Sequence, residues 1–346
     1  METLRFLSFI GLRTENYIMR KKILLLVLLL ILCFFAGILL GSVPLSPWNV
    51  LRCLAGYDKE STAYVLIHTV RLPRAAGACL AGTGLATAGV LLQYVMNNSL
   101  ASPNTIGVNS GAGFAVMLAL LLGNGQVSFI PAAAFLGALA TSLAIFGVAY
   151  MADSSRTTII LAGITVSSFL NAGINTIKIL DTDISVNLTS FMIGSLSGIT
   201  YEDIKAPGAA ILAALLTTLL LTRSVNVLGL GDDIARSLGM HVPAVRLVIL
   251  ILASILAGCV VSYAGLLSFV GLVVPHICRR LFGNDARYLL PCSALLGASF
   301  VLTCDMLGRV LFAPFELPAG VLMSFIGGPF FLYLLLKKKG GRRVNA

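Results

Sequence analysis

Charged residues are scarce in this sequence. Asp, Glu, Lys and Arg together make up 11% of its 346 residues, whereas apolar residues make up 58%. A soluble domain has about 25% charged residues, so the composition argues against an ordinary soluble enzyme. The mean hydropathy of +0.97 favours a protein that is embedded in a membrane.

Motifs for catalysis and nucleotide binding are absent as well. The sequence contains no GxxxxGK[ST], no GxSxG and no HExxH, and its only histidines are His68, His241 and His276. The seven cysteines are scattered and form no CxxC pair, which predicts neither a disulfide framework nor a metal site. We therefore expect that this chain holds no cofactor and catalyses no reaction. Any ATP hydrolysis would occur in a separate subunit.

Carboxylates at membrane depth are nearly missing. Of 14 acidic residues only Asp305 approaches an apolar segment, and it lies at the end of one. Proton-coupled carriers usually keep an ionisable group inside the membrane. An ion-coupled secondary transporter is therefore the weaker alternative, and the sequence favours a transporter that receives its energy from another subunit.

Ten apolar segments are present and predict an all-α polytopic membrane protein. A span needs about 20 residues, so the eighth segment is short. The predicted organisation is a cytoplasmic segment 1–21, a transmembrane domain 22–336 and a basic cytoplasmic tail 337–346. The segments cover residues 22–41, 69–92, 105–122, 129–150, 157–180, 203–222, 243–262, 267–281, 288–305 and 318–336.

The distribution of lysine and arginine predicts the orientation. With the N-terminus inside, most of the 24 basic residues fall on cytoplasmic segments, as the positive-inside rule requires. Ten spans then place both termini in the cytoplasm. This bias explains most of the net charge of +10 without a nucleic-acid partner. Seven basic residues fall outside: Arg52, Lys59, Arg71, Arg74, Lys178, Lys205 and Arg309.

The segment 265–279 combines an apolar composition with Gly271, Pro275, His276 and Arg279. A helix that only anchors a protein in lipid needs none of these residues. Polar or interrupted backbone at membrane depth is tolerated where it packs against protein or lines a cavity. The segment therefore indicates a protein that moves a solute across the membrane.

A short pattern recurs at an offset of about half the chain. LAG at 80–82 followed by AG at 88–89 reappears as LAG at 256–258 followed by AG at 264–265. Five spans separate the two copies, and an odd number of spans inverts the topology. The pattern predicts an inverted repeat of spans 2–5 and spans 7–10, with coincidence as the alternative.

Polar residues recur along the fifth span at spacings of three, three and four, which places them on one helix face. From the residues alone this stripe lines a pathway or forms hydrogen bonds between helices. Its members are Thr165, Ser168, Asn171 and Asn175, and the approach from 154 to 158 would lie near an inner gate.

A family resemblance rests on many short motifs in a fixed order over about residues 40–336. They are RLPR at 71–74, LAG at 80–82, LQ at 92–93, NSLASP at 98–103, GVNSGA at 107–112, LAG at 161–163, GSL at 194–196, ARSLG at 235–239, FVGLVVPH at 269–276, Asp305 with Arg309, ELP at 316–318 and GGPFF at 327–331. Because these motifs occur in this order, the chain resembles the membrane permease subunits of ABC importers for iron–siderophores, haem and vitamin B12. Ser99 and Phe191 depart from the family pattern, which usually has proline and tryptophan there.

The resemblance implies a homodimer, or a heterodimer with a paralogous permease, that binds two ATP-binding subunits and an external substrate-binding protein in a bacterial plasma membrane. The cargo would be a metal chelate, ferric siderophore first, with haem and cobalamin as alternatives. The stripe on the fifth span would line the translocation path. Arginines on the outer side would dock the binding protein, although snorkelling, or an ion pair of Arg309 with Asp305, is the structural alternative. These docking residues are Arg71, Arg74 and Arg309.

The loop at 228–242 would couple the permease to the ATP-binding subunits. Its sequence predicts a short helix that two aspartates cap and that ends at a glycine. An ordinary solvated connector is the alternative. The coupling residues implied by the resemblance are Asp232, Asp233, Ala235, Arg236, Leu238 and Gly239.

Overall fold

The computed structural model describes residues 2–123, 126–151, 156–181 and 188–340; at 2–18, 105, 156, 335 and 337–340 it describes the backbone alone. Throughout these ranges the chain is helical, with turns and loops between the helices. The all-α prediction is confirmed. Residues 154–155 of the predicted gate approach and 341–346 of the predicted tail lie outside the described ranges.

Each of the ten predicted apolar segments forms a helix, and we number these helices α1 to α10. Seven are long and apolar enough to cross a bilayer; the apolar parts of α3 and α10 are shorter, and α8 has 13 residues. The bounds are α1 Glu2–Leu39, α2 Leu72–Val95, α3 Val108–Leu122, α4 Ile130–Met151, α5 Arg156–Leu180, α6 Tyr201–Leu220, α7 Val242–Ala264, α8 Val270–Phe282, α9 Ala286–Val310 and α10 Ala319–Gly340.

Short helices connect the long ones. A π-helical stretch joins the helix at 62–65 directly to α2, so the second span runs continuously from Thr62 to Val95. Polar side chains begin several elements: a capping box between Thr200 and Asp203 starts α6, and the Asp285 carboxylate accepts from the Arg287 amide at the start of α9. The short helices are Pro47–Leu54, Thr62–Val65, Leu66–Arg71, Pro103–Ile106, Val127–Phe129, Thr189–Ile193, Thr222–Gly229 and Asp232–Ser237.

The long helices α2, α7 and α9 are the most buried, and α2 and α7 form the centre of the bundle. α2 packs against α7, α8 and α9, and α7 also packs against α4 and α6. Small residues allow the backbones of α2 and α9 to approach closely, because a Cβ atom on Gly82 would overlap the backbone of Gly297 in α9. In the same way, a Cβ atom on Gly89 would overlap the backbone of Gly271 in α8.

Replacing Gly82 by alanine is expected to destabilise the protein by about 1–3 kcal/mol, because α2 and α9 must separate to admit the added methyl group. The apparent thermal unfolding midpoint in detergent measures the effect. Gly147→Ala is the matched control, since no atom lies within 4 Å of a Cβ atom at that helical position. Equal midpoints for the two variants would contradict the proposed contact.

The packing partners follow the symmetry that the repeat predicts. An inverted repeat relates α2–α5 to α7–α10, so the pair α2–α9 should be matched by α7–α4, and it is. The pairs α3–α4, α3–α5 and α4–α5 are likewise matched by α8–α9, α8–α10 and α9–α10. Both α3 and α8 also begin after a residue in the left-handed region, Gly107 at φ 69° and Phe269 at φ 66°. These observations support the inverted repeat.

Candidate functional site

The three predicted docking arginines form one buried cluster. Arg71, Arg74 and Arg309 are only 4–5% exposed. Arg74 Nε donates to both oxygens of Asp305, at 2.9 and 3.1 Å, and Arg74 Nη1 donates to Glu316 Oε2 at 2.7 Å. Arg309 Nε lies 3.1 Å from Asp305 Oδ2, one helical turn away. Two carboxylates therefore serve three arginines, and the cluster keeps a net positive charge.

The same arginines bind the C-terminal end of α1. Arg71 Nη1 donates to the Ile38 and Leu39 carbonyls at 2.7 and 2.8 Å, and Arg309 donates to the carbonyls of residues 37 and 40. A helix leaves its last carbonyls without intrahelical partners, and cations near that end are favourable. Gly41 leaves room for this, because a Cβ atom there would lie 3.1 Å from Arg309 Nη1.

This geometry contains the ion pair of Arg309 with Asp305 that the sequence left open as an alternative, and the buried guanidinium groups do not snorkel to the surface. The guanidinium groups point inward, and their hydrogen bonds go to Asp305, Glu316 and the end of α1. Glu316 is the partly exposed member, with 30% of its side chain accessible, and its Oε1 accepts from Ser42 Oγ at 3.1 Å. The cluster therefore reaches the surface through Glu316.

The pKa of Glu316 is lowered. Burial acts in the opposite direction and raises it, but the hydrogen bond and the charge of Arg74 outweigh that effect. A carboxylate with a lowered folded-state pKa contributes stability above its ordinary value of 4.5, and this contribution is lost as the pH falls through the lowered value. We expect the wild-type unfolding midpoint to fall as the pH drops below about 4.5, and Glu316→Gln to fall less over that window. Parallel midpoint–pH curves would contradict this linkage.

The short helix predicted within residues 228–242 is present at Asp232–Ser237, with one correction. Its N-cap is Gly231, at φ 112°, and not an aspartate side chain. Asp232 and Asp233 instead lie in the first turn, where negative charge favours the helix dipole. Leu238 is the C-cap, and Gly239 follows at φ 81°, a conformation that glycine adopts without strain.

The outward surface of this helix mixes apolar and polar side chains. Ile234 and Leu238 are 50% and 63% exposed, and Arg236 is also exposed, whereas Ala235 is completely buried against the bundle. Isolated exposed apolar side chains are common, but two beside an arginine on a short, anchored helix suit contact with a partner protein.

A buried ion pair anchors the helix to α7. Arg246 is 1% exposed, and its Nη2 donates to both oxygens of Asp232 at 2.8 and 2.7 Å. Arg246 is not among the residues predicted from the sequence, because a basic residue near the cytoplasmic end of a span is the ordinary product of the positive-inside rule. Its spacing of 14 residues from Asp232 gives no helical signal.

The polar stripe on α5 is exposed in the isolated chain. All four members, Thr165, Ser168, Asn171 and Asn175, lie on the uncovered face of α5, whose long-helix neighbours are α3 and α4. Large apolar side chains share this face, among them Phe169 at 76% exposure. α10, the repeat counterpart of α5, is uncovered in the same way, with Phe325 73% exposed. Both helices thus present faces that no other part of the described chain covers.

The segment 265–279 includes the start of α8, which packs against α2, α9 and α10. Phe269 adopts the left-handed conformation immediately before α8, which is rare for a bulky residue. Its ring occupies the place that a side chain at Gly327 of α10 would need. His276 contacts Phe330 edge to face, with 6.0 Å between the ring centroids. Phe269 and His276 thus both contact α10.

Metal ligands do not cluster in the part of the chain that the structure describes. No group there combines three or more His, Cys, Asp or Glu side chains at a spacing that could hold an ion.

Comparison with known proteins identifies the family. The FecCD transport family matches residues 28–337. The chain is 35% identical over 322 residues to the achromobactin transport system permease protein of Dickeya dadantii, with 92% of each chain covered. It is 36% identical over 331 residues to the iron(3+)-hydroxamate import system permease protein of Bacillus subtilis, with 92% of this chain and 84% of that protein covered.

A solved structure of a metal-chelate type ABC transporter in an inward-facing conformation superposes with a TM-score of 0.79 at 28% identity. The superposition covers 92% of this chain and 99% of that one. The family match spans most of the chain and agrees with these relatives. The chain therefore belongs to the FecCD transport family.

Proposed function

We propose that this chain is the membrane permease of an ATP-driven importer of metal chelates, with ferric siderophore as the cargo. Membership of the FecCD transport family carries the proposal, together with relatives named for achromobactin and for iron(3+)-hydroxamate. Haem and cobalamin remain the alternative cargoes. The chain itself performs no hydrolysis in this proposal, since its sequence lacks a phosphate-binding loop.

Two copies of the chain, or this chain and a paralogous permease, would enclose the translocation path. The uncovered faces of α5 and α10 support this arrangement, because each mixes polar and apolar residues. The apolar residues of such a face suit a contact with the second subunit, and the polar residues suit an aqueous path. Thr165, Ser168, Asn171 and Asn175 would then line the path. Their hydroxyl and amide groups suit a large, polar, chelated cargo that needs no charged filter.

The helix at 232–237 would contact one ATP-binding subunit on the cytoplasmic side, through Ile234, Arg236 and Leu238. Two such subunits would serve the permease dimer. Closure of the ATP-binding subunits would push this helix, and the Asp232–Arg246 pair would pass the displacement to α7 and the centre of the bundle. Both chain termini lie in the cytoplasm in this arrangement, in a bacterial plasma membrane.

A substrate-binding protein would dock at the opposite end, over the cluster of Arg71, Arg74 and Arg309. Because these guanidinium groups already have hydrogen-bond partners within the chain, docking would require an exchange of partners. A carboxylate of the binding protein would displace Glu316, the partly exposed partner of Arg74. Arginine suits this role, since its planar fork binds carboxylate at two positions.

The test is ATPase activity of this chain reconstituted with the ATP-binding subunit encoded beside it. The neighbouring binding protein is added in turn with ferric siderophore, haem or cobalamin. We expect stimulation by the form loaded with ferric siderophore. Stimulation by haem or cobalamin alone would replace the proposed cargo, and failure to associate with any ATP-binding subunit would contradict the importer itself.

A further inference from the structure

A polar cavity of about 440 Å³ lies at the end of the bundle that carries the 232–237 helix. It is bounded by the last residues of α2, by the helix at 222–229 and by the turn between α8 and α9. Its polar lining includes Tyr94, Asn97, Asn226, Arg279 and Asn284. Neither the proposed path nor the proposed coupling contacts account for it.

Arg279 enters this cavity without a counter-ion. Its guanidinium carbon lies 5.2 Å from the centre of the Tyr94 ring, and its Nε and Nη2 are buried with no hydrogen-bond partner. Among the described residues no carboxylate forms an ion pair with it. Nη1 is the guanidinium nitrogen that is not among these buried atoms, and Arg279 lines the cavity. An arginine that is partly buried and unpaired is costly, and a bound anion would offset that cost.

Among the described residues, Asp285 is the carboxylate that lines the cavity, and it is already engaged elsewhere. Asp285 Oδ1 accepts from Asn226 Nδ2 at 2.8 Å and from the Arg287 amide at 2.9 Å. Its Oδ2 lies 3.8 Å from Arg287 Nε. Asp285 therefore holds the helix 222–229 and the start of α9 together, and the positive charge of Arg279 remains available to a ligand.

We propose that this cavity binds a phosphate group, either inorganic phosphate or the headgroup of an anionic lipid. The planar guanidinium fork of arginine matches phosphate oxygens, and Asn97 and Asn284 line the same cavity. A phosphate has enough acceptor oxygens to meet several donors at once. The cavity is also wide enough to admit the glycerol of a headgroup. This site stands independently of the proposed transport function.

The test uses the full chain in nanodiscs and follows its apparent thermal unfolding midpoint. One arm titrates inorganic phosphate in neutral phosphatidylcholine discs, and the other replaces part of that lipid by phosphatidylglycerol without phosphate. We expect one of the two arms to raise the wild-type midpoint, and that arm shows whether the bound phosphate group is inorganic phosphate or a lipid headgroup. Arg279→Gln should weaken the apparent affinity about tenfold or more, as expected for the loss of a charged hydrogen bond.

Arg280→Gln is the matched control, because the neighbouring arginine is exposed, and it should keep the wild-type response. Arg279→Lys keeps the charge and tests the site if the glutamine variant folds poorly; it should retain part of the response. Equal responses of the wild type and Arg279→Gln would overturn the proposal, as would no response in either arm. Stabilisation only by an added ATP-binding subunit, and its loss in Arg279→Gln, would also overturn it, since a protein group and not a phosphate would then pair with Arg279.

Discussion

Replacing Asp305 by asparagine is expected to lower the unfolding midpoint by at least about 5 °C, the largest stability effect of any substitution considered. Asp305 is 2% exposed and binds both Arg74 and Arg309. Without its charge, three buried arginines would share Glu316 as their remaining carboxylate. Breaking a buried ion pair from one side costs about 3–5 kcal/mol, because the other charge stays buried. Scanning calorimetry at a fixed scan rate measures the change.

Asp58→Asn is the matched control for this prediction. Asp58 pairs with Arg52 at 3.2 Å, but about half of each side chain is exposed, so the pair should contribute little. The midpoint of this variant should stay within about 1 °C of wild type, since an exposed pair contributes less than about 1 kcal/mol. If both variants unfold at the same temperature, the outer cluster, which consists of Arg71, Arg74, Arg309, Asp305 and Glu316, does not stabilise the fold in the way proposed.

Replacing Arg246 by methionine is expected to uncouple transport from ATP hydrolysis. Methionine fills the volume but releases Asp232, so the helix at 232–237 loses its buried attachment to α7. The rest of α7 keeps its contacts with α2, α4 and α6, so the fold should survive. Basal ATPase activity should persist while chelate imported per ATP hydrolysed falls about tenfold or more, within the usual range of coupling energies.

Arg223→Met controls for the loss of a positive charge at this end of the molecule, since Arg223 is exposed. It should leave the transport ratio unchanged. Asp232→Asn removes the partner charge and should reproduce the effect of Arg246→Met in milder form. A normal ratio in Arg246→Met would show that motion reaches the bundle by another route.

The helices were predictable because each depends on a long apolar run, and membrane helices satisfy their own backbone hydrogen bonds. All ten segments form helices, nine of them within about five residues of the predicted bounds, whereas α1 begins at Glu2 and not near residue 22. The inverted repeat rests on small residues that decide which helices approach closely. Gly82 contacts Gly297, while its repeat counterpart Gly258 contacts Ala138 in α4. The repeated sequence pattern and the contacts between distant helices therefore indicate the same inverted repeat.

The outer cluster could be predicted only in part. A spacing of three places Arg71 and Arg74 near one another, and a spacing of four pairs Asp305 with Arg309. Spacing does not give the direction in which a helix face points. The end of α1 lies about 30 residues before Arg71 in sequence, and nothing local indicates that its free carbonyls meet the guanidinium groups. The aspartate cap at residue 232 failed for a similar reason, because its carboxylate binds Arg246.

The most direct test of the account is chelate uptake into proteoliposomes that contain this chain, its neighbouring ATP-binding subunit and a loaded binding protein. The energy source is varied between enclosed ATP without an ion gradient and a proton or sodium gradient without ATP. We predict that ferric siderophore enters with ATP alone, and that Arg246→Met reduces this uptake. Uptake driven by an ion gradient in the absence of ATP would contradict the account and identify a secondary transporter.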